Sequence, residues 1–270
     1  MNKVNMHIHT IESDGIYNYK DIINKSKNIG LEIISITDHD NVDAVKKAID
    51  YGRKKGIHVV SGVELTANCT TGICHILGYN IDLDVINEFT KYIKLERIKK
   101  SKKMIQVVND LGYNIDYEDV LQLCTNDIIG RRDIAKALVL KKYFGDEQTA
   151  INELFIRGKA AYFKTKSKSI EKCIKVIKDS GGIAIIAHPW TLNLSLEELK
   201  HFILKYKFDG IEVYNHNISN NEFNSLNKLS DNLNLYKTCG TDFHGAKGLN
   251  ELLVNKDVDS SKILSKIIKW

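Results

Sequence analysis

Six of the nine histidines in this 270-residue chain stand at the ends of short apolar runs beside carboxylates, in segments scattered along its length. His7 and His9 follow Val4-Asn5-Met6. His39 lies in Asp38-His39-Asp40 after an isoleucine-rich run, and His75 precedes Ile76-Leu77. His188 lies in Ala187-His188-Pro189 and His244 in Asp242-Phe243-His244, while Glu64 ends the run 59–64. Imidazole and carboxylate are ligands that zinc, manganese and iron accept. Strand ends drawn from distant sequence gather many of them in one place. The number is too high for one ion, which points to a polynuclear hydrolase.

Taken singly, these residues say less. Residues two apart in a strand project to the same side, so His7 and His9 point together, and Asp242 with His244 repeats that geometry. A lone His-x-His is weak evidence, and Glu64 or His75 alone would look ordinary. The Asp38-His39 pair says more, because an ionisable pair leaving a buried strand sits at a functional rim. His188 precedes Pro189, the only proline, which fixes the backbone where the strand stops. Buried carboxylates and histidines are costly unless paired with each other or with a cation, so as a set these residues are hard to explain as packing. Of the other histidines, His58 is expected to face solvent and His201 to lie on the solvated side of a helix. His216 either lines the mouth of the site or sits in a loop.

The elements that must position them follow a βαβ grammar. A strand at the first histidines is followed by a helix over 21–29 stopped by Gly30, a strand over 31–37, a helix carrying Val42, Val45, Ala48 and Ile49, and a strand over 57–63. This spacing predicts a parallel sheet. The pattern returns after residue 168: a helix capped by Ser169, a strand over 183–187, and a helix opened by the capping box Ser195-Leu196-Glu197-Glu198. A strand over 210–214, a helix with Phe223, Leu226, Leu229 and Leu233, a strand leading to Gly240, and a last helix with Ile263, Leu264, Ile267 and Ile268 complete it. Between about 92 and 168 helical periodicity replaces the strand signal. Leu95, Ile98, Ile105, Val108 and Leu111 form one face, with shorter helices over 117–123, 134–140 and 150–156. The chain is therefore expected to be α/β, a barrel-like core over 1–91 and 169–270 with a helical insertion over 92–168 acting as a substrate cap.

A chain of this length buries a substantial core; 43% hydrophobic and 27% charged residues are ordinary for a globular enzyme. Five cysteines without a Cys-x-x-Cys pair, a polar N-terminus and the lack of a long apolar stretch point to a cytoplasmic protein with reduced thiols and no membrane contact. No obligatory protein partner is evident. Lys91, Lys94, Arg97, Lys99, Lys100, Lys102 and Lys103 form one basic stretch, and Lys159, Lys164, Lys166 and Lys168 another. Either they steer a polyanion or they are solvated faces of a lysine-rich chain.

The ordered set His7-Ile8-His9-Thr10, Ser13-Asp14-Gly15, Thr37-Asp38-His39-Asp40, Gly62-Val63-Glu64, His75-Ile76-Leu77-Gly78-Tyr79, Ala187-His188-Pro189 and Gly240-Thr241-Asp242-Phe243-His244-Gly245 resembles the motifs of the PHP (polymerase and histidinol phosphatase) family. The resemblance implies a distorted (β/α)7 barrel with three divalent ions (Mn, Fe or Zn) at the C-terminal strand ends. It implies that His7, His9, Glu64 and Asp242 hold the first ion, that Glu64 bridges to a second held by His75 and His188, and that Asp14, His39 and His244 hold the third. Asp38 would orient a neighbouring imidazole.

Within the family the chain looks most like the group of nucleoside 3′,5′-bisphosphate phosphatases and 5′-to-3′ exoribonucleases. That group carries a Gly-Arg-Pro-His-type motif before an Ala-x-Ala-Leu-Val helix. Here the stretch is Gly130-Arg131-Arg132-Asp133-Ile134-Ala135-Lys136-Ala137-Leu138-Val139, with Arg132 and Asp133 in place of proline and histidine. Asp133 would repel a phosphate, and Arg132 compensates in charge.

The activity implied is hydrolysis of phosphate monoesters or short nucleotides. A hydroxide bridging two metals, held by His7, His9, Glu64 and Asp242, would attack in line. Arg131, Arg132 and His216 would contact a phosphorylated small molecule or short RNA. Histidinol-phosphate hydrolysis, or a non-catalytic metal-stabilised binding module, are the alternatives.

Overall fold

Residues 3–69, 72–124, 129–163, 168–216, 218–254 and 258–267 are described in the computed structural model. The chain divides into two compact units, residues 1–89 with 168–270, and residues 90–167.

In the first unit, β1 (Val4–Ile8), α1 (Tyr19–Asn28), β2 (Ile33–Ile36), α2 (Val45–Lys55) and β3 (His58–Cys69) follow one another, then β4 (Gly72–Tyr79) and the start of α3 (Leu83–Asp110). β1, β2 and β3 pair in parallel. β1 and β2 are buried throughout, as expected of strands covered on both faces, and β3 is buried over most of its first eight residues. The expected parallel pairing holds for β1 to β3, and β4 departs from it, running antiparallel to both β3 and its other neighbour, β5 (Ile183–Ile186). Only two residues separate β3 from β4, too few for the crossover that a parallel partner requires. β3 also extends six residues past the expected 57–63.

The second, segregated half of this unit restores the parallel pattern. α7 (Ile170–Asp179) precedes β5; α8 (Leu196–Tyr206), β6 (Gly210–Tyr214), α9 (Asn220–Asn232), β7 (Tyr236–Cys239) and α10 (Ser261–Ile267) follow it, with β5, β6 and β7 parallel. Ile268, placed by sequence on the last helix, lies outside the described residues. The seven strands are hydrogen-bonded in sequence order. The two ends approach through an Ile8–Phe243 bridge, in which the His9 N–H donates to the Phe243 carbonyl (2.8 Å) and the Phe243 N–H to the His7 carbonyl (3.2 Å). The result is a nearly closed, distorted barrel ringed by helices.

Local chemistry sets the helix ends. Ser195 and Glu198 form the expected capping box, and Ser219 and Glu222 form a second one at α9; such caps are worth ~1 kcal/mol each. Across the barrel, the buried Tyr79 hydroxyl donates to the Met6 carbonyl (2.7 Å), tying β4 to β1.

The second unit contains the rest of α3 and α4 (Tyr117–Leu121), α5 (Arg131–Leu140) and α6 (Glu147–Leu154) around its own core of Val108, Ile115, Ile134, Leu138 and Phe155. The α3 face differs from the expected one. Ile105 and Val108 are buried, together with Ile93 and Met104, while Leu95 and Leu111 are exposed. Lys164 and Lys166 of the second basic stretch lie outside the described residues.

Candidate metal centre

The loops and strand ends of the first unit bring Asp14, His39, Glu64, His75, His188, Asp242 and His244 to His7 and His9. β1 delivers His7 and His9, whose side chains are buried. The barrel seam places Asp242 and His244 on either side of Phe243, in register with them. Gly240 makes this approach possible, because a Cβ there would lie 2.2 Å from the His7 Cβ.

Glu64 is the hub. Its buried Oε2 lies 3.3 Å from His7 Nε2, 3.2 Å from His9 Nε2 and 3.0 Å from His39 Nδ1. Its Oε1 lies 3.1 Å from His75 Nδ1 and 3.2 Å from His188 Nε2, and those two nitrogens are 3.3 Å apart. Asp242 Oδ1 faces His7 Nε2 (3.3 Å) and His9 Nε2 (3.1 Å). Asp14 faces His244 Nε2 (3.3 Å), His9 Nδ1 (3.7 Å) and His39 Nε2 (3.7 Å).

Three ligand groups result, each with its atoms within 4.8 Å of one another: His7, His9, Glu64 and Asp242; His39, Glu64 and His75; and His9, Asp14, His39 and His244. The first group is the implied one; in the second His39 stands where His188 was implied, His188 falling in none of the three groups, and the third gains His9.

Several of these nitrogens and carboxylate oxygens face one another without a hydrogen bond between them. His7 Nε2, both nitrogens of His9, His39 Nδ1 and Glu64 Oε2 are buried and unpaired. Lone pairs opposed in a dry interior need protons or cations between them, and the donor set is one that divalent transition metals accept. The residues therefore fit bound metal.

The protonation pattern agrees with this picture. Burial opposes charge on His9, but the Asp242 and Glu64 carboxylates beside it overcome it and raise its pKa to about 9. Burial likewise opposes charge on His7, yet Glu212, Glu64 and Asp242 raise its pKa well above the ordinary value. His39, whose burial is reinforced by neighbouring His9 and His75, is lowered to about 4. Burial works against ionised Asp14, but His244, His39 and His9 lower its pKa to about 2.

Backbone strain gathers here as well. Among the described non-glycine residues with positive φ are Asp40 (+48°), His188 (+25°) and Asp242 (+51°). Such conformations cost ~1–3 kcal/mol each and mark functional sites.

Two roles differ from expectation. Asp38 does not orient an imidazole. It accepts from the Thr10 N–H (2.7 Å), the Thr10 hydroxyl (2.8 Å) and the Ser13 hydroxyl (2.7 Å), and so shapes the loop carrying Asp14. The imidazole is held instead by Glu212, a residue the sequence reading passed over. Buried on β6, Glu212 accepts from His7 Nδ1 (3.0 Å) and from the His188 N–H (2.7 Å). With Nδ1 donating, the His7 Nε2 lone pair is turned toward Glu64 and Asp242. A carboxylate between Ile211 and Val213 in an apolar strand was the available signal. Glu212→Gln is expected to lower metal affinity ~10- to 100-fold with the fold intact, as read by competition with a chelator.

His216 is exposed, and its Nε2 pairs with the carbonyl of Glu251 (2.8 Å) in the 3-10 turn Leu249–Leu252. Its neighbour Asn215 lines the cavity instead, with Trp190 and Thr191. His58 is exposed, and His201 is exposed and bonded to the Glu197 carbonyl.

Arg131 and Arg132 open α5 in the second unit and are exposed. The Asp133 carboxylate turns back to accept from the Gly130 N–H (2.7 Å). Its charge is thereby engaged with the helix N-terminus. None of the five cysteines is joined in a disulfide, and no helix among the described residues is long and apolar enough to cross a membrane.

A nearly closed barrel with this cluster at its strand ends defines a metal-dependent hydrolase. The PHP domain model matches residues 5–187, more than half of the chain, and the chain belongs to that family. It is 26% identical over 267 residues to a 5′-3′ exoribonuclease of Haemophilus influenzae, covering 97% of each chain. It is 25% identical to a 3′,5′-nucleoside bisphosphate phosphatase of Chromobacterium violaceum, covering 90% of this chain and 88% of that one. The fold is shared with a solved amidohydrolase structure from Chromobacterium violaceum (TM-score 0.69, 24% identity, 95% and 92% coverage). The chemistry of the family is hydrolysis of phosphoric esters, and the chain is a phosphoesterase.

Proposed function

We propose that the chain hydrolyses nucleoside 3′,5′-bisphosphates or short RNA, and that His7, His9, Asp14, His39, Glu64, His75, His188, Asp242 and His244 hold three divalent ions (Mn, Fe or Zn). The observation that carries this reading is the set of buried, mutually facing nitrogens and oxygens around Glu64, several of them without a hydrogen-bond partner, which a cation cluster would satisfy. When bound, the ions supply positive charge for the phosphoryl oxygens and acidify the attacking water.

The protein's own groups prepare the site. Glu212 fixes the His7 tautomer. The Thr191 hydroxyl lies 3.1 Å from His188 Nδ1 and donates to the His188 carbonyl (2.9 Å). It thus accepts a hydrogen bond from Nδ1–H and leaves the His188 Nε2 lone pair toward Glu64. Asp38, through Thr10 and Ser13, holds the Asp14 loop.

Arg131 and Arg132 are read as phosphate clamps and the second unit as the substrate cap. Supporting this, Lys100 is lowered by burial and by neighbouring Arg131 and Arg97, so cations are concentrated where α5 begins. Removing a charged hydrogen bond costs ~1.5–3 kcal/mol. Arg131→Ala is therefore expected to raise KM roughly 10- to 100-fold with metal content unchanged. The enzyme is read as cytoplasmic, in keeping with five cysteines that form no disulfide.

The substrate test is phosphate release from adenosine 3′,5′-bisphosphate, histidinol phosphate and a generic aryl phosphate with Mn2+ supplied. Preference for the nucleotide is expected. Preference for histidinol phosphate would overturn the substrate, and silence on all three by metallated protein would favour a binding module.

A further inference from the structure

The metal-site cavity carries one aromatic side chain, Trp190, beside its histidines and carboxylate. The cavity, about 270 Å3, is lined by His39, His75, His188, Asp242 and His244 of the cluster, together with Trp190, Thr191 and Asn215. Trp190 packs partly against the barrel core and keeps the remainder of its indole exposed. Its ring centroid is 6.2 Å from that of His188, at 63°.

The indole is also fixed in place. Pro189–Leu192 is a single 3-10 turn entered through the strained His188 backbone. The turn is closed by hydrogen bonds from the Thr191 N–H to the His188 carbonyl (3.0 Å) and from the Asn193 N–H to the Trp190 carbonyl (3.3 Å). The same turn thus positions a cluster residue, His188, and an aromatic face two residues on. A rigid aromatic beside an anion-handling centre costs little entropy to use.

We infer that Trp190 is a nucleobase-stacking platform: the substrate's phosphate is held at the histidine–carboxylate cluster while its base lies against the indole. This rests on the nucleotide reading above and refines it. The cavity is near the lower end of the ~300–1,000 Å3 typical of small-molecule sites, a size for one nucleotide unit. Stacking tolerates any base, since each offers a π face, so the platform selects for a base without selecting which.

The test follows Trp190 emission in a Trp270→Phe variant, which leaves it the only tryptophan. Metal-supplied protein is titrated with adenosine 5′-phosphate and, in parallel, with ribose 5-phosphate. Saturable quenching by the first and not the second is expected; no quenching, or equal quenching by both, overturns the platform. In kinetics, Trp190→Ala should raise KM for adenosine 3′,5′-bisphosphate about tenfold, within the ~5- to 150-fold range for loss of a base–aromatic stack. It should leave kcat and the ribose 5-phosphate affinity near wild type, and Trp190→Phe should restore most of the loss. A Trp190→Ala variant that weakens both ligands alike overturns the proposal. If adenosine 5′-phosphate quenches but no bisphosphate is hydrolysed, the platform stands and the nucleotide phosphatase reading falls. Hydrolysis without quenching has the opposite meaning.

Discussion

Glu64→Gln is expected to give a folded protein that fails to retain its metal and loses kcat/KM by ~10³-fold or more. The substitution keeps shape and removes one charge. That charge faces five imidazoles at 3.0–3.3 Å: His7, His9 and His39 on one oxygen, His75 and His188 on the other. An amide offers one acceptor where the carboxylate offers two, and its NH2 is turned toward nitrogens that must present lone pairs. Two ligand groups share Glu64, so both are damaged at once. Losing the Lewis-acid contribution of the ions is worth several kcal/mol, at a factor of ten per ~1.36 kcal/mol. Metal content after gel filtration and kcat/KM check this together; a variant with wild-type metal and activity would contradict it. His201→Ala, on the exposed face of α8, should change neither.

Stripping the metal should produce a protein whose stability falls as pH rises through the neutral and alkaline range. In the metal-free cluster His9 has a pKa raised to about 9, against ~6.5 in the unfolded chain. A group raised in this way contributes stability that is fully present below pH ~6.5 and is lost as pH passes ~9. For His9 this amounts to about 3 kcal/mol, and His7 acts in the same direction. Bound cations replace those protons, so the metal-loaded protein should not share the loss. The gap in Tm between loaded and chelated protein is therefore expected to widen between pH ~6.5 and ~9. Asp14 and Asp242, lowered by neighbouring histidines, add stability that is lost only in strong acid. A gap that stays constant or narrows over this window would contradict the cation–proton exchange.

The site was legible because its chemistry is carried by residue types that packing seldom demands at strand ends. His7, His9, His39, Glu64, His188, Asp242 and His244 could each be set at the end of a strand from local pattern. The closing contact of His9 with Phe243 then explains why distant motifs meet. What sequence did not reveal depends on three-dimensional pairing. Glu212 looks like one polar residue in an apolar strand until the fold places it against His7 and the His188 N–H. Asp38 was given to an imidazole because it adjoins His39, whereas its oxygens meet the Thr10–Ser13 loop across the β1–β2 edge. The antiparallel β4 escaped because a short apolar run carries no direction, which only the two-residue connection supplies. On α3, an isolated 3.6-residue period put Leu95 and Leu111 inward, but its buried stripe is set by α4–α6 packing and runs through Met104 and Val108.

The central claim is that a three-ion cluster on these side chains drives phosphoester hydrolysis. Titrating chelated protein with Mn2+ while recording phosphate release from adenosine 3′,5′-bisphosphate tests it most directly. The account predicts no release without metal and a plateau reached as the cluster fills, near three equivalents per chain. Full activity in metal-free protein, or a plateau at a single equivalent, would contradict it.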